Sequence, residues 1–222
     1  MLENKDAVIF DLDGTLVDSM WIWPAVDIDY LAKYDLIMPP DFHQPMEGMS
    51  YTETAQYFRD TFPMLERSVE EIKQEWTEMA YESYTTKVPL KPGAYEFVSG
   101  LKEQGFRCAI ATSNGRELVN ATLKALGILD FFDSICTACE VAAGKPAPDV
   151  YLKAAGELQV DPAHCLVFED IPNGIMAGRN AGMTVCAVED DFSKELTLRK
   201  RQLAHYYIQS YDDIRNKQYE VL

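Results

Sequence analysis

The stretch Ala7-Val8-Ile9-Phe10-Asp11-Leu12-Asp13-Gly14-Thr15-Leu16-Val17-Asp18-Ser19 runs from four apolar residues into two aspartates separated by one leucine. A short continuous apolar run bounded by a turn signal such as Asp-Gly reads as a buried strand. Side chains alternate along a strand, so Asp11 and Asp13 leave it facing the same way. Two carboxylates about 4 Å apart at an effective dielectric near 20 repel by about 4 kcal/mol. A cation, a retained proton or full solvation must offset that repulsion.

Working outward, strand-like runs recur at 106–111, 134–137, 164–168 and 184–188, with a weaker one at 205–208. Helical patterns at 93–104, 116–126, 148–158 and 172–181 separate them. Strands alternating with helices of this length predict an α/β fold, a Rossmann-like parallel sheet covered on both faces. Continuous apolar runs such as Cys108–Ala111 and Cys165–Phe168 suit central strands. Residues 18–89 differ. They contain no convincing strand and read as helices, 51–61 and 68–84 among them, broken by Pro39-Pro40, Pro45 and Pro63. This block carries 14 acidic and 5 basic residues, more than half of the chain's net charge of −16. A helical block inserted after the first strand would cover the sheet's carboxyl edge, where ligands bind in open α/β sheets. The expected organisation is a core of residues 1–17 and 90–222 with an α-helical cap of 18–89.

The acidic balance, 36 Asp and Glu against 20 Lys and Arg, argues against nucleic acid or an anionic membrane surface as partner. No apolar run reaches the length of a membrane span, and the start MLENKDAVIFD has no basic segment followed by an apolar one. A cytoplasmic enzyme, working as a monomer, is the expectation. Of the five cysteines, Cys108, Cys165 and Cys186 fall in strand-like runs as small buried hydrophobes. Cys136 and Cys139 spell CxxC, but no second CxxC or neighbouring histidine completes a zinc site.

Four polar stretches follow predicted strands: Asp11 and Asp13, Thr112-Ser113-Asn114, the segment Gly144-Lys145-Pro146-Ala147-Pro148-Asp149, and Glu169-Asp170. Each has an ordinary alternative. Thr112–Asn114 and Glu169-Asp170 suit helix caps, and Lys145 alone suits a solvated surface. Occurring together and in this order, they resemble the haloacid dehalogenase superfamily of phosphohydrolases, in its branch with a helical cap after the first strand. The resemblance spans nearly the whole chain.

It implies a role for each residue. Asp11 would be the nucleophile that forms an aspartyl-phosphate and would also bind Mg²⁺. Asp13 would be the general acid and base, its main-chain carbonyl a further metal ligand. Asp170 would supply a second carboxylate, with Glu169 a ligand or an orienting neighbour. Thr112, Ser113, Asn114 and Lys145 would bind the phosphoryl group. The chemistry fits these residue types. Mg²⁺ prefers one or two carboxylates with phosphate oxygens, a transferring phosphoryl group needs positive charge and donors, and a general acid must hold a proton its neighbour lacks.

The segment 140–158 is similar to that of β-phosphoglucomutases, which share the catalytic set. Those enzymes carry a basic residue in a cap loop, where this chain has Gly48-Met49-Ser50-Tyr51, and a histidine where this chain has Trp23. A lid of Trp21, Trp23, Met46, Met49 and Tyr51 suits one phosphate and an apolar or sugar-like leaving group. Arg116 is the basic side chain expected to reach a distal group, unless it pairs with Glu117 or Asp133, and His43 is a candidate substrate contact. The expected function is a Mg²⁺-dependent phosphatase of a small phosphorylated metabolite, foremost a sugar phosphate. A phosphosugar mutase is the second reading, and a catalytically silent binding protein on the same scaffold the third.

Overall fold

Ala7–Phe10 form β1, fully buried over all four residues, in the computed structural model, which describes residues 1–222. Its neighbours are β2 (Arg107–Thr112) and β4 (Cys165–Glu169), with Phe10 in register with Ile110 on one side and Phe168 on the other. β3 (Ser134–Thr137), β5 (Thr184–Val188), β6 (Tyr206–Ile208) and β7 (Glu220–Val221) complete a sheet in the order β3-β2-β1-β4-β5-β6-β7. Strands β1 to β6 are parallel and β7 runs antiparallel to β6. The chain steps outward from β1 through β2 to β3, then returns to the other side of β1 for β4. That reversal opens a crevice at the carboxyl ends of β1 and β4, the usual ligand position in such sheets.

Between β1 and β2 lie α1 (Ile22–Lys33), α2 (Tyr51–Thr61), α3 (Val69–Thr86) and α4 (Ala94–Glu103). Further on come α5 (Arg116–Ala125), α6 (Asp149–Leu158), α7 (Pro172–Asn180), α8 (Thr197–Leu203) and α9 (Asp212–Arg215). The alternation of β1 sorts its side chains between two cores. Val8 and Phe10 pack with Val98 and Leu101 of α4 and Leu118 and Val119 of α5. Ala7 and Ile9 pack with Val150 and Tyr151 of α6 and Ile175 and Ala177 of α7. Both faces are covered, which is why the central strands carry no polar alternation.

The first core extends without a break into α1–α3 through Tyr30, Phe58 and Trp76. Phe58 sits 4.7 Å from both Phe42 and Trp76 in edge-to-face contacts, each worth about 0.5–1.5 kcal/mol beyond the area it buries. α2 and α3 start at capping boxes, Ser50 with Glu53 and Ser68 with Glu71. Each box satisfies two helix-terminal N–H groups and marks the start in the sequence itself. α1 has no capping side chain and carries Pro24 in its first turn, where a missing N–H costs no intrahelical bond. No helix is long and apolar enough to cross a membrane, and all five cysteines are free thiols.

Candidate active site

β1 stops at Phe10, and the strand alternation that would hold Asp11 and Asp13 side by side stops with it. The N–H of Asp11 still donates to the carbonyl of Phe168 at 3.0 Å, anchoring it beside the end of β4. Beyond it the two carboxylates acquire different partners. Asp11 turns to the ends of β2 and β4, Asp13 to the helices between β1 and β2. The close carboxyl neighbours of Asp11 are Glu169 and Asp170, not Asp13. The expected pairwise repulsion exists, with other residues.

Lys145 Nζ lies 2.6 Å from Asp11 Oδ1, 2.6 Å from Glu169 Oε1 and 3.3 Å from the carbonyl of Ala111. It is not a surface lysine, being 5% exposed. Glu169 is fully buried and fully engaged. Oε1 also accepts from the Tyr151 hydroxyl at 2.6 Å, and Oε2 accepts from the Asp170 N–H at 3.1 Å. Asp170 Oδ1 accepts from the Thr15 hydroxyl at 2.8 Å. One ligand atom from each of Asp11, Glu169 and Asp170 lies within 4.8 Å of the others, and the Lys145 ammonium bonds two of these three buried carboxyl groups. Burial drives the carboxyl of Asp11 well above its usual range; Lys145 opposes this, while Glu169 and Asp170 add to it. Burial, then Glu169, pushes Asp170 up to about 8. For Lys145 burial acts downward, but the attraction of Asp11 and Glu169 outweighs it and holds the ammonium charged.

Two glycines let this cluster close. Gly14 has φ +76°, and a Cβ there would stand 2.4 Å from Asp170 Oδ2. At Gly174, in the first turn of α7, a Cβ would stand 2.0 Å from the carboxyl of Glu169. Gly174→Ala is expected to displace Glu169 and with it Lys145. The expected cost is about 1–3 kcal/mol of stability and about 100-fold in turnover from misplaced reacting groups. Gly156→Ala, at a helical glycine with open space around it, should instead gain about 0.5–1 kcal/mol. Urea denaturation of the two variants checks the contrast.

Asp13 is held by the helical block. Its Oδ1 accepts from the hydroxyls of Ser19 and Tyr84, both at 2.5 Å, and its Oδ2 accepts from Asn114 Nδ2 at 2.9 Å. Tyr84 belongs to α3, 71 residues from Asp13. Burial and the adjacent Asp13 raise its hydroxyl well above the usual range, so it stays protonated. The amide of Asn114 is oriented by its own Oδ1, which accepts from the Gly115 N–H at 2.6 Å. The N–H of Asn114 donates to the Thr112 hydroxyl at 3.1 Å. Its Nδ2 also donates to the Tyr84 hydroxyl at 3.1 Å, so all three N–H groups of Asn114 are directed at protein partners. Sequence reading missed Ser19, Tyr84 and Tyr151. Ser19 lies within the opening motif, but the tyrosines carry no local signal.

The helical block closes over the crevice through backbone contacts. The N–H of Tyr51 donates to the carbonyl of Ser113 at 2.9 Å, and Asn173 Nδ2 to the carbonyl of Glu47 at 2.8 Å. Beneath it lies a cavity of about 430 Å³ that reaches Asp11, Asp13, Thr112, Ser113, Asn114, Lys145 and Asp170. Trp23, Met46, Met49, Tyr51 and His43 line it, as do Asp27 and Trp76. Trp21 does not. It is 45% exposed, its indole N–H bound to the Asp18 carbonyl. Arg116 also lies off the cavity wall, and neither Glu117 nor Asp133 is its partner. Its guanidinium donates to Glu140 and to the Ile135 carbonyl, each at 2.6 Å, because α5 starts beside β3 and the short turn after it. Asp133 is taken by Lys102 and the Cys108 N–H.

The profile of the haloacid dehalogenase-like hydrolases matches residues 8–188. The chain belongs to that family. It is 30% identical over 178 residues to hexitol phosphatase B of Escherichia coli, covering 80% of each chain. It is 32% identical over 185 residues to a bifunctional riboflavin kinase/FMN phosphatase of Arabidopsis thaliana, of which it spans 48%. The crystal structure of β-phosphoglucomutase from Clostridium difficile superposes with a TM-score of 0.78 at 23% identity, over 96% of this chain and 97% of that one. The shared fold comes with phosphatase relatives, and this haloacid dehalogenase-like hydrolase is a phosphatase.

Proposed function

We propose that this hydrolase is a Mg²⁺-dependent phosphatase that cleaves a small phosphorylated metabolite, foremost a sugar phosphate, through an aspartyl-phosphate on Asp11. Residues 18–89 act as its cap and residues 1–17 with 90–222 as its core. The observation that carries this reading is the excess of buried carboxyl groups around one lysine at the carboxyl edge of the sheet. Such a cluster fits a hard divalent cation. Asp11 and Asp170 each keep one oxygen with no protein donor and would hold it, with the main-chain carbonyl of Asp13. Glu169 has both oxygens engaged and would orient Lys145 and the Asp170 backbone instead. When bound, Mg²⁺ supplies positive charge to the oxygens of the transferring phosphoryl group.

The residues then divide the chemistry. Asp11 attacks phosphorus in line as the bond to the leaving oxygen breaks. Asp13 gives its proton to that oxygen. Water next attacks the phosphorus of the aspartyl-phosphate, returning a proton to Asp13 and freeing Asp11 and inorganic phosphate. Lys145 and the hydroxyls of Thr112 and Ser113 stabilise the phosphoryl oxygens. The hydroxyls of Ser19 and Tyr84 and the amide of Asn114 hold the Asp13 carboxyl in place for that proton transfer. A mutase would need a second cationic site for a bisphosphate. Lys145 is the sole Lys or Arg lining the cavity, while Glu47 and Asp27 face it from the cap.

Chelation is expected to abolish phosphate release from a sugar phosphate and added Mg²⁺ to restore it, with Ca²⁺ inhibiting through its larger, looser coordination shell. With β-glucose 1-phosphate and a catalytic amount of the 1,6-bisphosphate, free phosphate should form faster than glucose 6-phosphate. Full activity in excess chelator, or the opposite product order, refutes the corresponding half of the proposal.

A further inference from the structure

Asp27 stands apart from the catalytic cluster. It projects from α1 into the cap end of the cavity and is 8% exposed. Its closest basic neighbour is His43 Nδ1 at 3.5 Å, longer than an ordinary hydrogen bond. Burial alone, with no hydrogen bond or cation offsetting it, pushes the carboxyl up to about 7. An apolar side chain here would spare the fold this desolvation, so a ligand is the natural partner for the group. His43 lies beside it, and Trp23, Tyr51 and Trp76 add aromatic surface to the same cavity.

We propose that Asp27 and His43 are specificity-determining residues that bind adjacent hydroxyl groups of the leaving group, making the substrate a phosphorylated polyol or sugar. This rests on the phosphatase reading of the catalytic core. A carboxyl group accepts from two neighbouring hydroxyls, and an imidazole supplies one donor or acceptor beside it. The C–H faces of a polyol suit the surrounding rings. A second anion on the leaving group would meet Asp27 and Glu47 without a lysine or arginine to balance them. An ammonium-bearing leaving group is the competing partner for the Asp27 carboxyl, and the test includes one.

The test compares glucitol 6-phosphate, p-nitrophenyl phosphate, phosphoethanolamine and phosphoglycolate on wild type, Asp27→Asn and His43→Gln. Wild type should prefer glucitol 6-phosphate to the ammonium-bearing and carboxylate-bearing esters. In each variant the ratio of kcat/KM for glucitol 6-phosphate over that for p-nitrophenyl phosphate should fall about tenfold or more, chiefly through KM, as expected when a site loses a group that hydrogen-bonds its substrate. An unchanged ratio, or a wild-type preference for phosphoethanolamine or phosphoglycolate, overturns the assignment. Failure of wild type to release phosphate from any of the four, p-nitrophenyl phosphate included, would instead refute the core reading and this assignment with it.

Discussion

Asp11→Asn is expected to lower turnover on the order of 10⁴-fold or more, the scale on which covalent catalysis fails when its nucleophile is removed. An amide oxygen cannot form the acyl phosphate, and the remaining groups only bind and orient. The fold should survive. The new side chain still offers Lys145 an acceptor at the position of Oδ1, and one charge leaves a cluster of three carboxyl groups. The sign of the pH effect follows. The folded-state pKa of Asp11 lies above its ordinary value of 3.8, so the wild-type apo protein is favoured where Asp11 is protonated. That advantage declines as pH rises from 3.8 towards the raised folded value. The variant should lack this part of the decline. Rapid-quench measurement of phosphate release, with urea denaturation at several pH values, reads both effects. Retention of a tenth of wild-type activity would rule Asp11 out as the nucleophile.

Lys145→Met is expected to destabilise the apo protein by about 3–5 kcal/mol at neutral pH, the usual cost of removing one partner from a buried ion pair. The methionine fills similar space but leaves Asp11 and Glu169 facing each other without a cation. Turnover should fall on the order of 10²- to 10³-fold with the loss of a charge at the phosphoryl oxygens. Because the folded-state pKa of Lys145 is raised above 10.5, its contribution is fully present below that value and is lost only as pH climbs beyond it. The gap between wild type and variant should therefore hold across neutral and mildly alkaline pH. It should narrow in acid as the surrounding carboxyl groups take up protons. A variant as stable as wild type at pH 7 would mean that Lys145 does not hold the cluster together.

The two variants probe residues whose sequence signals differ greatly in strength. Asp11 announces itself, because an apolar strand ending on Asp-x-Asp-Gly is unusual enough to be read alone. Lys145 does not. One lysine in 222 residues acquires meaning only beside the other motifs, and its burial between Asp11 and Glu169 depends on β4 lying next to β1. Arg116 shows the converse, a cation near the anion-binding turn in sequence whose guanidinium is claimed by Glu140 and a β3 carbonyl.

By itself the sequence determined the elements that local rules govern. The six parallel strands follow from apolar runs, α2 and α3 from their capping boxes, and the order of catalytic motifs from their place after each strand. These depend on backbone geometry and near neighbours, which a short window contains. Tertiary structure decided what depends on elements meeting. β7 is two exposed residues that become a strand only by pairing with Tyr206 and Tyr207. Tyr84 becomes a partner of Asp13 only because α3 closes over the crevice, and Tyr151 a partner of Glu169 only because α6 packs beneath the sheet. Asp11 and Asp13 make the same point within three residues. Strand alternation sets them on one side, and the end of β1 at Phe10 releases them to different partners, since a side chain's direction beyond the last paired residue is set by what it can bind rather than by the pleat.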